Sequence, residues 1–538
     1  MNKHGDTIPG EINSLDPEKV QAMVSMLQKK DKQLQDQEEK IHSLQHQLDW
    51  FKRQLFGQKS EKRDFSDHPY QMTIAALFGD PDKSKAPQEE KQTVTYERGK
   101  AKKKPLEGSP DGAQLRFDET VPVEEIHVKT PELEGDDADD YEVIGEKVAY
   151  RLAQNPASFV VIKYVSKSVK RKSTQKVISY SAPNAVFEKS LADVSFLAGM
   201  LVEKYVYHMP LYRQHQRLEN NGIVLARSTL TNLVKRAIDL LKPIYQSQFD
   251  HILLSKILAI DETVIKAGLG KKGKLKQAYF WPIMGDMDEI CFTYSSSRAM
   301  KHLTEELGDF NGTILSDGYK AYDLYAQSVI TCTPARCWVH CRRYFERAED
   351  NEPEACATAL VYIGKLYKIE VEIQEKSLQG EKKHQYRLEH AKPIVDQFFS
   401  WVYEERLKPD LLPSNPLMAA LRYAQNQESG LRAFLNNPDL VLDTNHVERA
   451  IRPIACGRRN WLFCWTELGA EHVGIIQSLI STCRMHDINP YDYLVDVLQR
   501  VTTHPASRIE ELTPRRWKEE FKETPLRSDL YLRNHGMI

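Results

Sequence analysis

The stretch NHVERAIRPIACGRRN, Asn445 to Asn460, sets one carboxylate, Glu448, among four arginines: Arg449, Arg452, Arg458 and Arg459. Guanidinium groups suit phosphate oxygens, so a lone acid among them needs another purpose. In the plainer reading Asn445 is a helix N-cap and Glu448, three positions on, reaches back as in a capping box. In the other, Glu448 joins a carboxylate cluster that holds a cation. Asp261, near the end of the apolar run KILAIDETVI, and Asp317, closing GTILSD, are the other candidates. Each stands toward the carboxyl end of an apolar strand, the edge where open α/β sheets bind ligands. If the two strands are neighbours, the carboxylates converge, and a glutamate from a packed helix completes a trio. Three carboxylates about 5 Å apart repel by roughly 3 kcal/mol per pair at an effective dielectric near 20, so the cluster needs a cation or a proton. Hard oxygen donors select Mg²⁺ or Mn²⁺, and two such ions suit in-line phosphoryl displacement. The arginines would then hold a phosphate backbone. Strand-end aspartates also cap loops, and spacing alone leaves that reading open.

The chain that must position these groups has 538 residues, 41% hydrophobic and 28% charged, enough for several domains with real cores. A net charge of −2 favours no partner on average. No apolar run approaches the roughly 18 residues that span a bilayer. The start, MNKHGDTIPGEIN, lacks the features of a signal peptide. The 8 cysteines, all in the second half, are too sparse for a disulfide framework, so a cytoplasmic protein with reduced thiols and no membrane partner is expected.

Val20, Leu27, Leu34, Ile41, Leu48 and Leu55 recur every seventh residue, which predicts a coiled coil over 17–60 and self-association through it. Residues 61–140, with basic GKAKKKP and acidic ELEGDDADDYE, read as a largely disordered linker. Residues 141–187 regain β-like alternation and carry Lys163, Lys167, Lys170, Arg171, Lys172 and Lys176, either a phosphate-contacting face or a lysine-protected strand edge. Over 188–250 one amphipathic helix, an Asn221-Gly222 turn and a second helix capped near Ser228 have helix-turn-helix spacing. Arg227, Lys235 and Arg236 make the second helix basic, although plain bundles also contain such hairpins. From 254 the pattern turns to strands: KILAIDETVI, QAYFWPIM and EICFTYSS. A helix (Ala299 to Leu307), the strand ending at Asp317, the strand SVITCTP and the helix ARCWVHCRRYFERA follow. Serial strands and then alternating strand and helix describe an α/β layer with mixed pairing. Residues 353–437 read as all helical.

Two patterns are decoys. Gly268, Gly270 and Gly273 fit G-x-G-x-x-G, but a strand follows where a dinucleotide site needs a helix. A basic hairpin is expected instead, able to touch DNA through Lys271, Lys272 and Lys274. Cys332, Cys337, His340 and Cys341 cluster like zinc ligands, yet the last three share a helix face beside Trp338, and zinc is not expected there.

LAIDET, the block FTYSSSR…FNGTILSDGYKAY, CWVHCRRYF and NHVERAIRP…GRRNWLF resemble transposases of the insertion sequence 66 family. QLFGQKSEK, PLYRQ…STL and SLISTCRMHDINPYDYL extend the resemblance over most of residues 20–515. It implies a multidomain α+β protein with a ribonuclease-H-like α/β catalytic core: 251–352, a helical insertion at 353–437, and 438–486 carrying the glutamate, followed by a helical tail at 487–538. It also implies a DDE triad of Asp261, Asp317 and Glu448 that binds Mg²⁺, or Mn²⁺ in its place. His340, Arg449 and Arg452 would support the triad, and Arg342, Arg343, Arg458 and Arg459 would contact DNA. Many relatives carry a cysteine zinc module before the helix-turn-helix region. Here VKRKSTQK stands in its place, so no zinc is expected in that module either. The implied activity is cleavage and joining of transposon-end and target DNA by an oligomer, with accessory proteins of the same element as possible partners. A nuclease of the same fold that only hydrolyses, or a DNA-binding regulator without catalysis, are the rivals. Strand joining separates the first, and metal-dependent cleavage the second.

Overall fold

The computed structural model describes residues 107–108, 115–155, 158–188, 190–269, 274–409, 411–461 and 466–537. The coiled-coil segment 17–60, most of the expected linker, Lys271 and Lys272 lie outside the described residues. The architecture below is that of the compact unit made by 102–407 and 413–538.

The first sheet is built where the sequence suggested linker as well as strand. β1 (Val123–Val128) pairs in parallel with β3 (Ser158–Arg171), which pairs on its other side with β2 (Tyr141–Asn155) and at its end with β4 (Val177–Ser179). Residues 115–140 are therefore ordered rather than linker, and charge complementarity accounts for it. Glu125 on β1 meets Lys163 at 2.9 Å, Asp140 meets Arg171 at 2.9 Å, and Lys172 donates to the Asp139 carbonyl at 2.7 Å. The acidic block and part of the basic strand neutralise each other, so Lys163, Arg171 and Lys172 are not a bare phosphate-binding face.

Three helices follow: α1 (Val194–Tyr205), α2 (Leu211–Asn220) and α3 (Arg227–Ile252). The turn between α2 and α3 includes a two-residue strand, Ile223–Val224, paired with Arg116–Phe117. The cap of α3 is Ala226 and not the expected Ser228, with no side-chain hydrogen bond.

The central sheet carries β5 (Ile257–Ile260), β6 (Thr263–Leu269), β7 (Leu275–Met284), β8 (Ile290–Ser295), β9 (Gly312–Ser316) and β10 (Cys332–Arg336) in the order β8-β7-β5-β9-β10, with β6 also on β7. β5, β9 and β10 run parallel, while β7 is antiparallel to β5, β6 and β8. The apolar runs of β5 and β9 fit parallel strands covered on both faces. Helices α4 (Met300–Leu307) and α5 (Lys320–Ser328) supply part of that cover, and Leu303, Tyr322 and Tyr325 share one core with Leu258, Ile260 and Ile314. The break between β5 and β6 falls at Asp261 and Glu262, opposite Pro282 of β7, whose ring nitrogen has no proton to extend the ladder. Asp261 N–H donates to the Pro282 carbonyl at 3.4 Å, and the strand bends away beyond it.

The strand expected at SVITCTP instead occupies Cys332–Arg336. Buried Tyr322 and Tyr325 keep α5 helical through Ser328, and Pro334 is tolerated because β10 is an edge strand. At the opposite edge, α11 (Glu467–Met485) covers β8. Ser478 and Thr482 hydroxyls accept the N–H groups of Phe292 (2.9 Å) and Ile290 (3.2 Å), which would otherwise invite another strand. A Cβ at Gly474 would lie 2.5 Å from the Phe292 carbonyl, so this approach requires glycine.

Residues 353–406 and 416–435 are largely helical, including α7 (Pro353–Glu375), α8 (Lys392–Arg406) and α9 (Pro416–Asn426). They dock on α6 (Trp338–Ala348), where Trp338 is fully buried against Phe398, Phe399 and Phe434 at 5.4, 6.3 and 6.4 Å and donates from Nε1 to the Leu431 carbonyl at 2.9 Å. Beyond α11, α12 (Pro490–Arg500) and α13 (Pro514–Glu520) form a helical tail, and α12 packs on α1.

Trp338→Ala should cost about 3–5 kcal/mol in unfolding free energy, and Trp338→Phe, which keeps the ring contacts, clearly less. Equal losses in chemical denaturation would show that the ring contacts do not hold the helical region to α6.

Candidate active site

In the parallel register Leu315 of β9 faces Ala259 of β5, so Asp317 and Asp261, each two residues further on, emerge side by side at the same sheet edge. Glu448 comes from α10 (Asn445–Asn460), which packs on β6 and β7. The starts of α6 and α10 are tied together: Cys337 Sγ accepts from Thr444 N (3.4 Å) and Oγ1 (3.5 Å), and Trp338 N–H donates to the Leu442 carbonyl at 2.9 Å. Cys337 thus joins two helices, and Cys341 is buried in the core beside it.

The capping-box reading of Asn445 and Glu448 does not survive. Thr444 is the N-cap, Asp443 accepts the Asn445 N–H at 3.0 Å, and the Glu448 carboxylate turns to Arg343. Pro453 does not end the helix either, which runs on to Asn460. The missing proline N–H leaves only the Arg449 carbonyl without its usual partner.

The α6 sequence CWVHCRRYF divides between two tasks by helical spacing. Trp338, Cys341 and Phe345 bury one face, while His340 and Arg343, three apart, present the other to the carboxylates. Arg343 Nη2 donates to Glu448 Oε2 at 2.7 Å, and Nη1 approaches His340 Nε2 at 3.3 Å. Burial pushes the His340 pKa down, opposed by Asp317 and assisted by Arg343, so the imidazole is neutral at pH 7. Among the described residues, Glu448 Oε1 is buried with no hydrogen-bond partner, as is His340 Nδ1.

Asp261 shows the strongest electrostatic sign of a cluster. Burial first, then Asp317 and Glu448, raise its pKa from 3.8 to about 7, against the pull of Arg343 and Arg298. The carboxylates therefore feel one another. Among the described residues, however, no three His, Cys, Asp or Glu side chains are gathered into a ready coordination shell. The donor set still fits a hard divalent cation. It offers two strand-end carboxylates, one of them disfavoured as an ion, and a glutamate oxygen left unbonded.

Several supports were absent from the sequence reading. Glu262 points away from its neighbour Asp261 into the core, with its side chain 3% exposed, paired with Arg298 and accepting from Tyr322 Oη at 2.6 Å. Arg298 lies over the Tyr319 ring at 3.7 Å, and Tyr319 N–H donates to Asp317 Oδ1 at 2.8 Å. One polar chain thus links the residue after Asp261 to the side chain of Asp317. Behind Asp317, Gly318 adopts φ +86°, and Tyr423 of α9 donates its hydroxyl to the Asp317 carbonyl. Buried Arg336 bonds to Ser316 and Asp323 and reaches Gln427 Oε1 at 2.6 Å. The only signal for Arg298 was its place in the SSSR block, and for Tyr423 there was none.

The expected DNA contacts vary in their surroundings. Arg449 and Arg452, expected to support the triad, are exposed along α10, as is Arg459, while Arg458 donates to the Val264 carbonyl at 2.8 Å and so ties α10 to β6. Arg342 pairs with Glu346 at 2.8 Å, and Arg236 stacks on Phe187 at 4.2 Å. Arg227 and Lys235 are exposed on α3, and Lys274 at the tip of the β6–β7 hairpin. Arg343 belongs to the carboxylate site rather than to a free surface.

A carboxyl whose folded pKa lies above its unfolded value weakens the fold as pH rises from 3.8 towards 7. Asp261→Asn should therefore leave stability unchanged near pH 3.5 and raise it at pH 8, by about 2 kcal/mol. Thermal melts across that range test this, and a variant no more stable than wild type at pH 8 would contradict the crowding of charge.

The profile described as "Transposase IS66 family" matches residues 189–472, "IS66 C-terminal element" matches 478–515, and "Transposase C of IS166 homeodomain" matches 43–126. Two relatives from Sinorhizobium fredii, both named as uncharacterized proteins, are similar over most of their length. One, y4hP, is 29% identical over 405 residues, covering 71% of this chain and 72% of the relative. The other, y4jD, is 29% identical over 362 residues, covering 64% and 70%. With the first profile spanning more than half of its length, this chain belongs to the IS66 family of transposases.

Proposed function

We propose that this transposase cleaves and joins DNA strands by a DDE mechanism, with Asp261, Asp317 and Glu448 as the catalytic triad. The observation that carries the reading is the emergence of Asp261 and Asp317 from adjacent parallel strands at one sheet edge, with Asp261 electrostatically coupled to Glu448. An antiparallel meander followed by two parallel strands on its far side also supports a ribonuclease-H-like core, here interrupted before the glutamate by a helical insertion.

The triad residues would hold Mg²⁺, or Mn²⁺ in its place. Bound there, divalent ions supply activation of the attacking oxygen and charge stabilisation of the leaving one. The chain's own residues do the rest. Asp261 and Asp317, fixed by β5 and β9, set the site at the sheet edge, while Glu448 approaches from α10. Neutral His340 lies beside Asp317 and Glu448 and adds no charge of its own to the site. Arg449, Arg452 and Arg459 on the exposed side of α10, with Lys274 on the neighbouring hairpin, would hold the backbone of the strand being cut. Arg227, Lys235 and Arg236 on α3 would engage the element end, and residues 17–60 would join protomers. Water, then a DNA 3′-hydroxyl, serves as nucleophile, so no covalent protein–DNA intermediate forms.

The test is transposition from the native flanking ends, wild type against Glu448→Gln, with cleavage of purified ends in Mg²⁺ alongside. Wild type should move the element, and the variant should lose cleavage by on the order of 10³-fold while still binding the ends. Movement by both would remove Glu448 from the triad. Cleavage of purified ends without any joining would favour a hydrolytic nuclease.

A further inference from the structure

We infer that Arg343 is the resident counter-cation of the carboxylate site, and that metal ions and a DNA phosphate exchange places around it. The inference rests on the triad reading above and concerns how the site is kept before substrate arrives.

Arg343 was expected to face DNA, yet its guanidinium is directed inward. It holds one oxygen of Glu448 at 2.7 Å and reaches His340 Nε2 at 3.3 Å. Glu448 Oε1 stays buried and unbonded, 3.9 Å from that same His340 nitrogen. Because Nε2 faces the Arg343 donor, the imidazole proton belongs on Nδ1, and His340 gives Glu448 no hydrogen bond. Arg343 is therefore the cation that bonds Glu448, and its charge also favours ionised Asp261. A guanidinium and a divalent ion need the same carboxylate lone pairs, so they compete.

The pair is not sealed in. The Arg343 side chain is 39% exposed and that of Glu448 28%, so the guanidinium can leave towards solvent without unpacking the core. The opposite face of α6 is anchored by Trp338, Cys341 and Phe345, so the release is a side-chain movement and not a helix movement. A phosphate oxygen is an equivalent acceptor for the freed fork. Linkage then runs both ways: DNA that captures Arg343 raises metal affinity, and metal that displaces Arg343 raises DNA affinity. The device keeps the carboxylates neutralised in the absence of DNA and disfavours metal loading until a backbone is present.

The experiment is Mn²⁺ binding to the full chain, followed by electron paramagnetic resonance of the free ion, with and without a duplex bearing the element end. Without DNA, Arg343→Ala and Arg343→Gln should bind Mn²⁺ about fivefold more tightly than wild type, and Arg343→Lys should stay near wild type. The duplex should tighten Mn²⁺ binding by wild type and leave both uncharged variants unchanged. A structural role alone would weaken the ion or leave it alone. Equal or weaker Mn²⁺ binding by folded Arg343→Gln therefore overturns the inference. Asp261→Asn separates the two levels. If it binds Mn²⁺ as wild type does, the triad reading falls and takes the inference with it. If it loses the ion while Arg343→Gln matches wild type, only the role of Arg343 falls.

Discussion

Repulsion between carboxylates carried to one sheet edge is the constraint from which the remaining features of the site follow. Parallel pairing of β5 with β9 brings Asp261 and Asp317 together whether or not a cation is near, and α10 adds Glu448. The cost appears in the pKa of Asp261, raised to about 7 by burial first and then by Asp317 and Glu448. Such strain persists only when the surroundings over-determine the geometry. Here they do so through the Glu262–Arg298–Tyr319 chain inside the core, and through Gly318, Tyr423 and Arg336 behind the second aspartate. These contacts fix the backbone next to each aspartate, and the Tyr319 N–H also holds one oxygen of Asp317. Rigid neighbours around ligands that repel one another are what a preorganised metal site needs.

The helical insertion takes part in this support. Tyr423 and Gln427 approach the Asp317 turn, and Tyr344 of α6 stacks on Tyr423 at 4.3 Å. Residues separated by about a hundred positions thus brace the turn after β9, while Trp338 anchors the same helices to α6. Because α6 also presents His340 and Arg343 to the carboxylates, a shift in the insertion would reach the site through two routes, the Asp317 turn and the α6 face. The insertion is thus a structural support of the proposed catalytic site.

Legibility followed the range of the interactions. Asp261 and Asp317 could be read from sequence because each ends an apolar run, and strand ends are local features. The order of the central strands was largely readable for the same reason. What could not be read depended on partners far along the chain. The acidic block before Tyr141 looks like disorder until its partner strand, with Arg171 and Lys172, is in place. Glu262 looks like a surface acid until Arg298 is brought beside it from 36 residues away. The four residues by which SVITCTP misled fall at the end of α5 and in the turn after it, where Tyr322 and Tyr325 of the helix are buried in the core and set its end. Glu448 had the spacing of a capping box, and only Asp443 and Thr444, taking over the helix start, freed its side chain for another use.

The lone acid among arginines can now be understood position by position. Glu448 lies in the first turn of α10, where unpaired backbone N–H groups favour a negative charge. The arginines that follow it do not form one uniform strip. Arg458 is tied to a β6 carbonyl and fixes the far end of α10 to the sheet, whereas Arg449, Arg452 and Arg459 point to solvent. The cation that meets Glu448 comes from another helix, α6, and this separation matters. A basic residue on α10 itself would move with the glutamate and could not be exchanged for an ion without moving the carboxylate as well. Arg343, on a helix held by its opposite face, can let go while Glu448 stays where it is. In the proposed exchange, holding the acid on one element and its counter-charge on another lets a site of three carboxylates stay folded on its own and open to metal when a phosphate backbone arrives.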